Sequence, residues 1–91
     1  LFRSIYAAAF ERLARLKGAP VNSGRVLTIG DGAFTDLAGA GRAGLDCLFI
    51  TDGVHAEELV RSDGKIDPEG LGRLMECAGA RPYALAREVF W

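Results

Sequence analysis

The 91 residues contain two cysteines, one histidine and no long apolar run. Each scarcity excludes something. Cys47 and Cys77 stand thirty residues apart, which matches no metal-ligand spacing and no disulfide framework. Both are expected as reduced thiols, and the chain as cytoplasmic. A single histidine rules out a His-x-x-x-His zinc pair. No apolar stretch approaches the roughly 20 residues needed to span a bilayer, so no membrane partner is expected. The first residues, Leu1-Phe2-Arg3-Ser4-Ile5-Tyr6, lack the apolar region and cleavage site of a signal peptide. Net charge is −1, with eleven basic against twelve acidic residues. That balance leaves no basic footprint for nucleic acid and no acidic tail. No Asp-x-Asp occurs, and no Ser/His/Asp or Cys/His arrangement has a recognisable local signature.

What is present reads as a single α/β domain at most. Residues 2–17 form an amphipathic pattern, with Phe2, Ile5, Ala9, Leu13 and Leu16 as the apolar stripe. Gly18 and Pro20 end it. Arg25 to Ile29 is a short apolar run of the kind buried on both faces of a parallel sheet. A loop covers 30–35, after which Thr35 or Asp36 caps a helix running to about Ala43. Gly39 and Gly41 lower its helix propensity by about 1 kcal/mol each, which implies close packing of that helix on the sheet. Leu45 to Thr51 is a second strand, with Cys47, Leu48, Phe49 and Ile50 as its body. Asp52-Gly53 turns the chain, His55 to Arg61 is a short helix, and 62–65 is an exposed loop. Asp67 caps a helix with Pro68 at its first position and Gly79 after its end. The tail from Arg81 either adds a short edge strand or stays irregular. Alternating helices and strands of this kind argue for a parallel sheet. Two strands cannot form a stable sheet alone, so another must pair with them.

The chemistry-bearing stretch is Gly30-Asp31-Gly32-Ala33-Phe34-Thr35-Asp36. It follows the first strand and precedes the small-residue segment Leu37 to Gly41. Ligands of open α/β sheets bind at the carboxyl ends of strands. Two carboxylates on a tight loop there suit a hard cation such as Mg²⁺. The plain alternative is an Asp-Gly turn at Asp31 with a helix cap at Asp36. Gly39-Ala40-Gly41-Arg42-Ala43-Gly44 matches Gly-x-Gly-x-x-Gly. It falls inside and at the end of a predicted helix, not after a strand, so it reads as packing and a helix stop. His55 reads either as a surface residue at a helix start or as a rim residue beside a substrate. Glu57 and Glu58 fit a solvated first turn. Tyr83, Phe90 and Trp91 read as packing residues or a chain end.

The run from Gly30 to Ala40, followed by Ala43-Gly44-Leu45 and Leu48-Phe49-Ile50-Thr51, resembles the fourth motif of haloacid dehalogenase-like hydrolases. Within that superfamily it is most similar to the class IIA branch of small phosphatases. Ile5-Tyr6 and Thr51-Asp52-Gly53-Val54-His55 share the likeness, which covers about residues 4–60. The resemblance implies a partial Rossmann-like parallel sheet with flanking helices, and a Mg²⁺-dependent phosphatase acting on a small phosphorylated metabolite. It implies that Asp31 binds the metal directly and that Asp36 binds it directly, through water, or by orienting its neighbours. Gly30 and Gly32 would let the backbone approach the phosphate site. The family's nucleophile and acid/base, an Asp pair two residues apart, have no counterpart here. Its lysine has none either: Lys17 is at the wrong end of its helix, Lys65 lies in a loop, and Arg3 is a poor substitute. The chain is therefore expected to be the C-terminal part of a core domain, inactive alone. The first strand is expected to have an open edge that favours self-association or pairing with a missing strand. The alternative is a non-catalytic α/β binding or assembly module.

Overall fold

The computed structural model describes residues 5–89. Helix α1 spans Ile5–Lys17, and the predicted contributions of Phe2, Arg3, Phe90 and Trp91 lie outside the described residues. The packing face of α1 differs from the predicted stripe. Tyr6 and Phe10 pack against the core, with Ala14 half-buried on the same side. Ile5 and Leu16 are 78% and 74% exposed. The helix is turned by about one residue, roughly 100°, and so buries its two aromatics, the larger apolar surfaces.

Strands β1 (Leu27–Gly30), β2 (Asp46–Ile50) and β3 (Ala84–Ala86) form one parallel sheet in the order β1-β2-β3. The strand needed to complete the pair is the tail itself. Before β1, residues Ser23–Arg25 make a 3-10 turn capped by the Asn22 side chain, which accepts from the Gly24 amide at 2.9 Å. That turn delays β1 by two residues relative to the predicted Arg25 start.

Parallel register pairs Thr28 with Cys47 and Gly30 with Phe49, while Leu27 pairs with Asp46 and Ile29 with Leu48. The two sets point to opposite faces. Cys47 and Phe49 are buried in one core cluster with Ala33, Leu37, Ala40, Leu45, Leu59, Leu74 and Met75. On the other face Leu27 and Ile29 are 48% and 50% exposed, and Leu48 and Ile50 are half-buried. The expectation that the first strand is buried on both faces is therefore corrected. Among the described residues its second face is only half covered, and one of its edges has no strand beside it.

After β1 the chain bends at Asp31-Gly32 and enters a π turn, Ala33–Leu37, that runs into α2, Ala38–Ala43. The Leu37 amide donates to the Gly32 carbonyl five residues back, at 3.0 Å. The helical segment thus begins at Ala33, earlier than predicted, and Gly32 occupies the cap position without a side-chain cap. Neither Thr35 nor Asp36 is the N-cap. Gly39 and Gly41 do mark close approaches, but not to the sheet. A Cβ at Gly39 would meet the Tyr6 ring at 3.3 Å, and one at Gly41 the Ala80 Cβ at 3.3 Å.

Helix α3 is only Ala56–Leu59, with His55 at its N-cap. Its predicted last residues leave the helix because Val60 bridges to Ile66 in antiparallel pairing. Helix α4, Pro68–Ala78, agrees with its predicted signals. The Asp67 side chain accepts from the Glu69 amide, Pro68 opens the helix, and Gly79 closes it at φ 68°. Both cysteines are free, Cys47 buried and Cys77 exposed. No helix among the described residues is long and apolar enough to cross a membrane.

Candidate functional site

The carboxyl ends of the strands gather the polar groups. Asp31 follows the last residue of β1, and its carboxylate crosses toward the segment after β2. There Oδ2 accepts from the Val54 amide at 3.1 Å. The seat exists because residue 53 is glycine: a Cβ there would overlap the Asp31 carboxylate. Asp36 folds back in the opposite sense, and its Oδ2 accepts from the Gly32 amide at 3.1 Å. A Cβ at Gly30 would overlap the Asp36 carboxylate, and one at Gly32 the Thr35 hydroxyl. The glycines at 30, 32 and 53 therefore leave room for side chains to lie against the backbone.

Each carboxylate thus has one oxygen held by an amide. The second oxygen of each has no hydrogen-bond partner among the described residues. Among those residues, no group of three or more His, Cys, Asp or Glu side chains converges as a metal cage. Either carboxylate could serve a cation that takes one or two carboxylates and fills its remaining positions with water or phosphate oxygen. Mg²⁺ coordinates in that way.

The two aspartates line different clefts. Asp31 borders a cleft of about 300 Å³ along the sheet edge, together with Gly30, Ile50, Asp52, Arg87 and Glu88. Asp36 borders one of about 460 Å³ between α1 and α2, beside Tyr6, Thr35 and Arg42. A third cleft, about 980 Å³ between α4 and β3, is lined by Leu71, Met75, Tyr83 and Leu85 among others and by neither aspartate.

His55 is half-buried. Its side chain is 13% exposed. Its ring neighbours those of Phe34 and Phe49, with centroids 6.1 and 6.2 Å away. Nε2 accepts from the Ala33 amide at 3.1 Å, and Nδ1 lies 3.2 Å from Glu58 Oε1. An Nε2 that accepts places the proton of the neutral ring on Nδ1, where it is donated to Glu58.

Three supporting groups escaped the sequence reading. The Tyr6 hydroxyl donates to the Asp36 carbonyl at 3.4 Å. Its burial, and then the Asp36 charge, raise its pKa. Thr51, 1% exposed, places its hydroxyl 3.1 Å from Asp52 Oδ1 and 3.4 Å from the Ala86 carbonyl. Arg87 donates from Nε and from a terminal nitrogen to Asp52 Oδ2, at 3.0 and 2.9 Å. That hydrogen bond holds the Asp52 carboxyl below its ordinary range. Arg87 carries no local signal, because its role depends on β3 pairing beside β2, thirty-five residues away. Thr51 and Asp52 stand in a recognisable run, but only the fold shows what they join.

The profile of the HAD-hydrolase-like family matches residues 2–71. A crystal structure of a hydrolase of the haloacid dehalogenase-like family from Brucella suis 1330 is similar, with 35% sequence identity and a TM-score of 0.65. The alignment covers 94% of this chain and 28% of that one, so the chain spans little more than a quarter of that protein's length. No curated protein matches.

Proposed function

Because the chain belongs to the haloacid dehalogenase-like hydrolases, we propose that it forms the metal-binding end of a Mg²⁺-dependent phosphatase of the class IIA branch. The substrate class is a small phosphorylated metabolite. The observation that carries this reading is the seating of Asp31 and Asp36. Both emerge at the carboxyl end of β1, each with one oxygen fixed by a backbone amide. Fixing a carboxylate before the ligand arrives lowers the ordering cost of binding.

When bound, Mg²⁺ would act as a Lewis acid toward a phosphoryl oxygen and offset its charge. Asp31 would hold the cation directly. Asp36 would hold it directly or through water, and Gly30 and Gly32 would let the substrate's phosphate approach the backbone. Asp52 and Arg87 would close the sheet-edge cleft on the β3 side. Phosphoryl transfer also requires a nucleophile and a cation to stabilise it. The 91 residues show no motif for either, so this segment alone is proposed to be inactive. The unpaired edge of β1 is proposed to take the strand that brings the nucleophile, or, without it, to self-associate.

The test is hydrolysis of p-nitrophenyl phosphate by the full-length protein across a Mg²⁺ titration. Turnover that requires Mg²⁺ and falls at least about 100-fold in Asp31→Asn supports the reading. Metal-independent turnover, or an unchanged Asp31→Asn, contradicts it.

A further inference from the structure

We infer that His55 is a positioning residue for the carboxylate loop, acting through the Ala33 amide. The inference goes beyond the proposed function but rests on it in one respect, that the seated carboxylates serve a cation. The helical segment after β1 begins at Ala33, and the first amides of any helix have no partner within it. Two side chains meet that need here. Asp36 accepts from Gly32, and His55, from the far side of the sheet edge, accepts from Ala33. Ala33 is fully buried, so no solvent stands ready to replace the imidazole. An unpaired buried amide is costly.

The contact is one of two adjacent ties between the same pair of segments. Asp31 reaches across to the Val54 amide, and His55, the next residue, reaches back to the Ala33 amide. Together they clamp residues 31–33 against 54–55, and Asp36 is anchored to Gly32 inside that clamp. The ring has little freedom to leave. Phe34 and Phe49 neighbour it, and Glu58 accepts its Nδ1 proton and so fixes the tautomer that presents a bare Nε2. With that lone pair engaged, Nε2 is not free to bind a metal. Partners of this kind around a metal site are worth about 10- to 100-fold in affinity.

The experiment uses the full-length protein with His55→Phe, which keeps an aromatic ring but removes the acceptor, and His55→Gln, which restores an acceptor. Three quantities are read: imidazole nitrogen shifts of the parent, amide exchange at Gly32 and Val54 against amides of α4, and Mg²⁺ affinity. The expected result is an unprotonated Nε2 in the parent. In His55→Phe, exchange at Gly32 and Val54 should rise about 10-fold with α4 unchanged, and Mg²⁺ affinity should fall about 10- to 100-fold. His55→Gln should recover part of both. Unchanged exchange in His55→Phe overturns the inference, as does equal loosening of α4, which would make His55 an ordinary core residue. If the parent binds no Mg²⁺ while Gly32 and Val54 still loosen, the metal reading falls and the positioning role stands. If His55→Phe does not fold, the parent decides. A scalar coupling from the Ala33 amide to Nε2 supports the inference, and its absence overturns it.

Discussion

The two faces of this small sheet differ more than its three strands do. One face carries Cys47 and Phe49 into a core built from α2, α3, α4 and the π turn. The other presents Leu27 and Ile29 half-exposed. Parallel sheets are usually covered on both sides. An apolar strand is therefore buried only where a partner element reaches it, and apolarity does not say which partner that is. The carboxyl edge, which carries Asp31 and Asp52, is joined to the covered face. Gly30 pairs with Phe49 there, and His55 packs on Phe49.

The contrast can be broken most sharply at its centre. Phe49→Ala, on the covered face, should cost about 3–5 kcal/mol by urea denaturation. A loss under about 1 kcal/mol would mean that the cluster is not the core. Gly30→Ala comes next. Its new Cβ would overlap the Asp36 carboxylate, and overpacking of this kind costs about 1–3 kcal/mol. Mg²⁺ affinity should fall with it, and parent stability together with parent affinity would show that the seat of Asp36 is loose.

On the half-covered face, Ile29→Thr should change monomer stability by no more than about 0.5 kcal/mol while reducing self-association in sedimentation velocity. A large loss of stability there would mean that this face is covered. The smallest effect belongs to the Asp52–Arg87 pair. Arg87 depresses the Asp52 pKa, so the pair's contribution is complete above about pH 4 and fades as the pH falls below it. Arg87→Met should flatten the stability profile between about pH 2 and about pH 5. Identical profiles would remove the pair from the account.

Much of the fold was legible because its signals are local. Asp67, Pro68 and Gly79 bracket α4 as their capping chemistry requires, and the apolar run 47–50 is a strand in fact. What could not be read depends on partners distant in sequence. The rotation of α1 follows from what Tyr6 and Phe10 meet, and the tail takes the edge strand of its two predicted alternatives because β2 offers it an edge. At the site, both aspartates were visible from the Gly-Asp pattern. The inward turn of His55 was not, because its partners are Ala33, Phe34 and Phe49. The π turn was missed because its first amides are met by Asp36 and His55 and not by a conventional N-cap.

The measurement that bears most directly on the central claim is site-resolved. Mn²⁺, standing in for Mg²⁺, would be titrated at low stoichiometry into the isotopically labelled full-length protein, with amide line broadening followed by NMR. Asp31, Gly32, Asp36 and Val54 should broaden first, and Asp31→Asn should abolish the effect. Broadening that begins elsewhere, for example at Asp63 and Asp67, or that survives Asp31→Asn, would contradict it.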